Sequence, residues 1–591
     1  MNFRDYIDKI EIKSDFKSSG CNKEMYIDIM DTVFNAYPIN ELIEMVEAYQ
    51  CKKIEDIHSF SRLTAALGEL IASGRRCEHI DLWYSMMDCC CRDLHRITDT
   101  MKLDFAVKEI MVVYKAMEPY VSETKKAEWL NDLRKIEPYI NYKAHLDFLE
   151  PDKLHNISVF NMTGEYLRET EGLTETTEYF KRHWPVQLQK FDDNGMYKDP
   201  NNPILYDAAT RYSIQLLMFY GYNGEFKNDL DKYLENAGLY TLFMQSPNFE
   251  MPFGGRSNQF LFNDAYVAGI CEFEAQRYKA KGDLKTAGMF KRCAHLSMKS
   301  VLRWINEAHS PKHIRNFYPI ESKHGEEPYA YYDKYMITLA VNAYIAFLFS
   351  DDSIEEYPCP QECCGYVFET TNDFHKIFAC CKGNYIEIDA CADCHYDSTG
   401  LGRYHKCGIP SELGLSIPMT KHPEYHISTG MSTDNISICA GWDTGEGEIQ
   451  YLSDISCDID YKLNVIKCTD DIVEFSVVYY GSALNGCSAV EERYTLDIEG
   501  VHIAARLIEP KFNRIYYRVP LFMSNGKDLG EVTALSDRTV EIKMNDNFLK
   551  VEIDGSINVS DKKYANRNGE YAVADILKSN SCGLLLNISL Y

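Results

Sequence analysis

The sequence has few positive charges for its length and no long apolar run. Its 62 Lys and Arg residues stand against 89 Asp and Glu residues, which gives a formal net charge of −27. No basic run interrupts this composition, so we expect no binding to nucleic acid or to an anionic membrane. No stretch reaches the roughly 18 apolar residues of a membrane span. The first residues also lack the apolar core of a signal peptide, so we expect a cytoplasmic protein.

Several common enzyme signatures are missing as well. The sequence contains no P-loop, no dinucleotide fingerprint in a βαβ context, no G-x-S-x-G elbow and no H-E-x-x-H zinc motif. Tryptophan is scarce, with 5 residues, whereas tyrosine occurs 42 times. Most of these phenols are expected to pack at interfaces, but their number leaves room for a tyrosine-lined cleft.

The first 350 residues have the periodicity of helices. Apolar residues recur at helical spacing, for example in 63–71, 105–117 and 266–278, and about a dozen helices are predicted. No repeat of fixed length is visible, which argues against TPR and ankyrin arrays. Many helices in series favour an (α/α) toroid of paired helices.

The remaining sequence has the alternation and turns of β-strands. The segment 357–360 contains two prolines and is typical of a linker. Alternating stretches follow, such as 472–480 and 548–553, with hairpin-type turns such as Asn485-Gly486 between them. We therefore predict an α+β multidomain protein, because 591 residues exceed one compact core. Its predicted parts are a helical toroid (1–350), a linker (351–360) and an antiparallel β-sandwich (361–591).

A loop rich in Gly, Pro and Asn (195–203) leads into a helix that carries polar residues in its first turns. These residues are Asp207, Arg211 and Tyr212. Asp207 is suited to cap the helix, and Arg211 follows it by four residues, so the two side chains can simply form an ion pair. The alternative places all three at the mouth of the toroid, where they would bind a substrate.

A second polar cluster, Phe-Gly-Gly-Arg-Ser-Asn-Gln, spans residues 253–259. Its two glycines allow the backbone to approach a ligand closely. Ser257 could act only as a helix cap, but four consecutive polar side chains exceed what capping requires. We favour a binding or catalytic site that includes Arg256, Asn258 and Gln259.

Tyrosines recur at a spacing of three residues ahead of a long apolar helix, at Tyr329, Tyr332 and Tyr335. One face of the first helical turns is therefore phenolic. These rings could pack against the β-half. A phenol in a cleft could instead exchange a proton with a substrate.

The β-half contains one polar, histidine-rich and glycine-broken stretch, with His395, Arg403 and His405. Such loops are natural functional sites, although a solvated loop is the simpler alternative. Seven cysteines lie between residues 359 and 394, and a zinc site is a minor alternative because their spacing does not form two C-x-x-C knuckles. We expect reduced thiols, no cofactor, and no haem at the C-x-x-C-H run that ends at His395.

The domain order and the four clusters together resemble the α/α-toroid polysaccharide lyases with a C-terminal β-sandwich, the heparinase II/III-like group. The resemblance implies a cleft between toroid and sheets in which an oligosaccharide is cleaved. It implies that Arg256, Asn258 and Gln259 neutralise a carboxylate, with Tyr332 as acid/base and His395 as the histidine of the β-half. The substrate-binding residues would be Asp207, Arg211, Tyr212, Tyr335, Arg403 and His405.

The resemblance predicts β-elimination beside a uronic acid carboxylate, on short oligosaccharides and from their ends. Two alternatives stay open. A glycoside hydrolase on the same toroid would use paired carboxylates, for which Asp207, Asp264 and Asp333 are candidates because each lies at a helix start. A carbohydrate-binding protein would need aromatic platforms but no acid or base. The sequence also leaves room for a homo-oligomer.

Overall fold

The computed structural model describes residues 2–98, 100–143, 154–445, 447–456 and 459–591. It confirms the predicted fold class, with helices in the N-terminal half and antiparallel sheets in the C-terminal half. The α-helices in this part of the chain are α1 (Phe3–Ile7), α2 (Glu24–Phe34), α3 (Ile39–Cys51), α4 (Ile57–Ala72), α5 (Ile80–Leu94), α6 (Leu103–Met117), α7 (Glu123–Leu133), α8 (Pro138–Asn141), α9 (Ile157–Thr170), α10 (Thr177–Gln187), α11 (Ile204–Phe219), α12 (Lys227–Met244), α13 (Phe262–Ala280), α14 (Leu284–Asn306), α15 (Tyr332–Phe349) and α16 (Pro360–Cys363).

Six helices form the inner ring of the toroid. Helices α4, α6, α9, α11, α13 and α15 contact one another in this order, and α15 contacts α4 in turn. Most residues of these helices are buried on every side, as expected for helices that are covered both by the ring and by an outer layer. The outer layer includes α5, which contacts α4, and α14, which contacts α13. No helix in the described ranges is long and apolar enough to cross a membrane.

The strands form three antiparallel sheets. The strands are β1 (Tyr366–Glu369), β2 (Lys376–Cys381), β3 (Asn384–Asp389), β4 (Gly400–Lys406), β5 (Cys439–Asp443), β6 (Ile449–Tyr451), β7 (Asp460–Cys468), β8 (Val473–Tyr480), β9 (Ala489–Leu496), β10 (Val501–Ile508), β11 (Arg514–Ser524), β12 (Gly530–Ser536), β13 (Thr539–Met544), β14 (Asn547–Ile553), β15 (Ser556–Val559), β16 (Tyr564–Ala565), β17 (Glu570–Ser579) and β18 (Gly583–Leu590). Their orders are β1-β2-β3-β4, β12-β13-β14-β18-β10-β9-β8-β7 and β15-β17-β11-β5-β6, with β16 beside β17.

The four-stranded sheet connects the toroid to the rest of the β-half. Strands β2 and β3 are buried along their whole length, since one face meets the helices and the other meets the eight-stranded sheet. A bridge between Leu401 and Ile438 links this sheet to the segment before β5, and all three sheets share one apolar core. Helix α15 ends at Phe349 and β1 begins at Tyr366. The exact domain limits stay a prediction.

Candidate active site

A cavity of about 420 Å³ lies at one end of the helical ring. Its described lining contains seven aromatic rings and several cations, and none of these lining residues is acidic. The lining residues are His58, Arg62, Met101, Lys102, Phe105, His155, Asn156, Ile157, Phe160, Tyr206, Arg256, Phe262, Tyr266, Tyr329, Lys334, Tyr335 and Thr338.

All six inner helices point their N-terminal ends at this cavity. Each contributes lining residues from its first two turns, for example His58 on α4, Tyr206 on α11 and Lys334 on α15. The N-terminal end of a helix carries a partial positive charge from its unpaired backbone N–H groups. The fold therefore adds positive potential to the cavity in a protein of net charge −27.

Two phenols of the cavity wall meet at one buried serine. The hydroxyls of Tyr206 and Tyr329 each lie 3.1 Å from Ser257 Oγ. Ser257 is fully buried and does not itself line the cavity. Its Oγ donates to Glu327 Oε2 at 3.2 Å, and its backbone N–H donates to Glu327 Oε1. Burial raises the pKa of both phenols, so both are neutral near neutral pH.

The guanidinium of Arg256 lies beside this cluster. Its Cζ is 4.7 Å from the centre of the Tyr206 ring, in cation–π geometry. The same side chain donates to the backbone oxygen of Pro200 at 2.7 Å and forms an ion pair with Asp199. These contacts hold Arg256 against the cavity wall.

Three further basic side chains of the wall come from α4 and α15. Arg62 donates to Thr338 Oγ1 at 2.7 Å. The Lys334 ammonium lies 3.5 Å from the backbone oxygen of Tyr329, and burial, followed by the charge of Arg62, lowers its pKa to about 8. His58 stacks on Phe105 with the ring centres 4.6 Å apart. Burial lowers the pKa of His58 well below its usual value, and its Nε2 has no hydrogen-bond partner in the described structure.

The β-half supports the loop 254–259 from behind. Asp397 accepts a hydrogen bond from the backbone N–H of Gly255 at 2.6 Å. Arg567, which is fully buried, forms an ion pair with Glu327. Asn568 donates to Gln259 Oε1 at 3.2 Å. The described residues of the β-half therefore position the wall of the cavity without lining it.

The predicted cluster on α11 forms internal contacts. The Arg211 guanidinium donates to both carboxylate oxygens of Asp207, at 2.9 and 2.7 Å, and both side chains are buried. Tyr212 Oη donates to Asn342 Oδ1 at 3.2 Å. These three side chains lie outside the cavity lining, and the ion pair matches the simpler of the two sequence interpretations.

Four other predicted residues are buried between the two halves. Arg403 donates to the backbone oxygen of Met251 at 2.8 Å, and His405 lies between two serine hydroxyls, with a pKa lowered to about 3 by burial. Asn258 donates to a backbone oxygen of its own turn, and Gln259 accepts from the β-half. These contacts are consistent with structural roles.

The two predicted proton-transfer residues, Tyr332 and His395, lie outside the cavity lining. The Tyr332 hydroxyl donates to the backbone oxygen of Pro311 at 2.9 Å, and burial raises the pKa of this phenol to about 12. The His395 side chain is 60% exposed and its Nδ1 lies 2.6 Å from Asp393. Neither residue lines the cavity, whereas the predicted residues Arg256 and Tyr335 do.

The carboxylates of the hydrolase alternative are not paired across the cavity. Asp207 is bonded to Arg211, and Asp264 forms a buried ion pair with Arg315. Asp333 lies at the start of α15, and none of the three aspartates lines the cavity. In the described ranges no group of three or more His, Cys, Asp or Glu residues could hold a metal ion, so the zinc alternative gains no support there.

Several residues of the site were not singled out from the sequence. His58 and Arg62 are spaced by four residues within a buried helix, which resembles an ordinary amphipathic pattern. A polar run in a strand-rich region, Asn566-Arg567-Asn568, was a usable signal for the support of the loop. Lys334 lies between the predicted tyrosines but gave no signal of its own.

Comparison with known proteins gives likeness in fold alone. No protein-family model matches the sequence, and no curated protein matches it. The chondroitin AC lyase of Streptomyces coelicolor A3, solved in complex with chondroitin sulphate, is 8% identical, with a TM-score of 0.54 over 100% of this chain and 82% of that chain. A heparinase III structure is 9% identical, with a TM-score of 0.49 over 91% of this chain and 77% of that chain. The chain therefore has the fold of the polysaccharide lyases, a helical toroid followed by antiparallel sheets.

Proposed function

We propose that this chain is a carbohydrate lyase that cleaves uronic-acid-containing oligosaccharides by β-elimination. One observation carries the proposal: a single cavity combines phenols with cations and, in its described lining, no carboxylate. The fold supports it, because a chondroitin lyase has the same architecture. Fold likeness at 8% identity says nothing about the substrate, so the residues of the cavity must carry that part.

Elimination needs a stabilised carboxylate. The proton removed from a uronic acid lies next to the carboxylate, and charge moves onto the carboxylate oxygens as the proton leaves. Lys334 supplies positive charge at the cavity wall, and six helix N-termini add to it. Arg256 and Arg62 add guanidinium hydrogen-bond donors, although each is also ion-paired with a carboxylate behind the wall, Asp199 and Glu109 respectively. His58 Nε2 is available for a further hydrogen bond to the sugar.

Elimination also needs a base and an acid, and both lie on one side of the sugar when the proton and the leaving oxygen depart from the same face. Tyr206 and Tyr329 both line the cavity, and the phenol oxygens of both are bonded to Ser257. One phenol would take the proton from carbon, and the other would protonate the departing glycosidic oxygen. This assignment replaces Tyr332 of the sequence interpretation with two neighbouring phenols.

The shape of the cavity supports action on short chains. A volume of about 420 Å³ falls within the range of small-molecule sites. Aromatic rings such as Phe105, Phe160 and Tyr266 provide flat apolar surface for sugar rings. We propose that the end of an oligosaccharide enters, and that cleavage is exo-acting.

The hydrolase alternative is weaker on the same observations. Glycoside hydrolases place two carboxyl groups about 5–10 Å apart around the scissile bond. The described lining provides no such pair, and the buried aspartates of the ring are bonded to arginines.

The test is the ultraviolet absorbance of the conjugated double bond, followed with a panel of uronic-acid oligosaccharides. We expect the absorbance to rise for at least one of them. Tyr329→Phe should then lower kcat about 100-fold or more, as is usual when a general acid or base is removed. Tyr332→Phe, which loses only a bond to Pro311, should have a much smaller effect. New reducing ends without the absorbance would identify a hydrolase and contradict the proposal.

A further inference from the structure

The Ser257 hydroxyl makes more hydrogen bonds than a turn residue needs. Its Oγ is hydrogen-bonded to the Tyr206 and Tyr329 phenol oxygens, each at 3.1 Å, and to Glu327 Oε2 at 3.2 Å, and the Tyr335 phenol lies beside it as well. Ser257 has a relative exposure of 0% and does not line the cavity, whereas Tyr206 and Tyr329, which are bonded to it, do. It therefore connects the acid and the base of the proposed reaction.

The hydrogen atoms of this cluster can be assigned by elimination. A serine hydroxyl has one hydrogen and two lone pairs, and an ionised carboxylate only accepts. In the resting state that satisfies all three of these bonds, the Ser257 hydrogen points to Glu327, and both phenols donate to Ser257. Each phenol oxygen then keeps its lone pairs for the cavity. Neither phenol is ionised in this arrangement, in agreement with their raised pKa values.

We propose that Ser257 is a proton relay between Tyr206 and Tyr329, which allows both tyrosines to act as neutral phenols. This inference rests on the proposed elimination and deepens it. One phenol oxygen takes the proton from carbon while its own hydrogen passes to Ser257. The hydrogen of the second phenol turns from Ser257 to the departing oxygen and passes to it. The Ser257 hydrogen turns from Glu327 to the second phenol and replaces the hydrogen that was lost.

The atoms balance without any outside acid or base. One C–H bond and one C–O bond of the sugar break, and a C=C bond and an O–H bond on the leaving group form. Each of the three protein hydroxyls loses one hydrogen and gains one. All three hydroxyls are therefore protonated again after the step, and rotation of the hydroxyl groups restores the resting hydrogen bonds without a proton from solvent.

The surroundings hold the relay in place. Glu327 binds both the N–H and the Oγ–H of Ser257, and the buried Arg567 neutralises Glu327. Arg256 lies over the Tyr206 ring at 4.7 Å. Ser257 itself has a φ of +60°, a strained value that the surrounding contacts maintain.

The experiment measures kcat against pH for the wild type, Ser257→Ala and Ser257→Gly. Glycine adopts a positive φ without strain, so Ser257→Gly remains informative if the alanine variant is poorly folded. Below a pH of about 8, where Lys334 keeps its charge, the wild type should show a kcat with little pH dependence, since no phenol has to ionise. Without the relay one phenol must ionise, so kcat should fall about 100-fold or more at neutral pH and rise about tenfold per pH unit. Ser213→Ala, which removes a buried hydroxyl of α11 outside the lining, should retain the wild-type profile.

Rates in mixtures of light and heavy water give a second readout. Several hydrogens move in the wild-type step, so a plot of the wild-type rate against deuterium content should be curved. The same plot for the Ser257 variants should be linear. A variant profile parallel to the wild type, whether or not the rate falls, would overturn the relay while leaving the lyase proposal intact. If the wild type itself gives no elimination product from any oligosaccharide of the panel, the proposed function fails, and the relay with it.

Discussion

Lys334 is a residue of the cavity whose charge changes close to neutral pH. The ordinary pKa of a lysine is 10.5, and burial together with Arg62 lowers that of Lys334 to about 8. In the described structure no carboxylate forms an ion pair with the Lys334 ammonium. The nearby charges of Arg62 and Lys102 lower the pKa of Lys334, and the charge of Asp56 raises it by less than Arg62 lowers it. Its charge is therefore present below a pH of about 8 and is lost above it.

We expect kcat/KM for a uronic-acid oligosaccharide to fall as the pH rises through about 8. The reason is that neutral Lys334 no longer attracts the substrate carboxylate, and kcat/KM reports ionisations of the free enzyme. Lys334→Arg keeps its charge over this range, so its alkaline decrease should move to higher pH. The measurement is the pH profile of both proteins. Coinciding alkaline limbs would show that another group titrates.

The loop 254–259 is the element on which the site depends. Gly254, Gly255, Ser257 and Gln259 all have positive φ values, of +150°, +71°, +60° and +69°. This backbone brings Ser257 under the phenols and Gly255 against Pro203. A Cβ atom on Gly255 would lie 2.6 Å from Pro203 Cβ and 2.9 Å from its Cα. The two glycines are therefore needed both for their conformation and for the close approach.

Gly255→Ala should destabilise the protein more than an alanine at another glycine of similar conformation. Gly172 has a φ of +66°, and a Cβ atom added to it would have no atom within 4 Å, so Gly172→Ala costs only the backbone strain of about 1–2 kcal/mol. At Gly255 the clash should add about 1–3 kcal/mol. Urea unfolding of both variants measures the difference. Equal losses would mean that the loop moves away from Pro203 without cost.

The two halves of the protein are joined behind the site by a buried ion pair. Arg567 follows β16 and Glu327 precedes α15, and both side chains have exposures of 0%. Arg567 also donates to the backbone oxygen of Gly325 at 2.9 Å and lies over the Tyr425 ring at 4.2 Å. Arg567 of the β-half thus holds the Glu327 carboxylate in place, and Glu327 in turn holds Ser257.

Arg567→Ala should lower the free energy of unfolding by about 3–5 kcal/mol, because it leaves the buried Glu327 without a counter-charge. It should also lower kcat, since Glu327 would no longer be held against Ser257. The control is Lys527→Ala, which breaks the exposed pair between Lys527 and Glu307 at 3.2 Å and should cost at most about 1 kcal/mol. Urea unfolding and kcat are measured for both variants. Similar losses of stability from the two substitutions would contradict the structural role of Arg567.

The periodicity of the sequence was sufficient to predict the fold class. The helical spacing of apolar residues extends to Phe349, and strand alternation follows Tyr366. Both patterns are local, because they reflect which side chains of a single element are buried. For the loop 254–259, two glycines followed by four polar residues indicated a close backbone approach and a site, whereas its positive φ values are a finding of the structure.

Which polar residues meet in the cavity was decided by the tertiary structure. Arg62 and Thr338 are 276 residues apart in sequence and are hydrogen-bonded only because α15 returns to α4 around the ring. Sequence spacing placed Arg211, Tyr332 and His395 at candidate sites, but it could not show where their polar atoms point. In the structure Arg211 pairs with Asp207, Tyr332 donates to Pro311, and His395 pairs with Asp393. The sequence by itself determined the type and order of the elements, since periodicity is local. The composition of the cavity depends on ring closure and on long-range pairing, which no local pattern encodes.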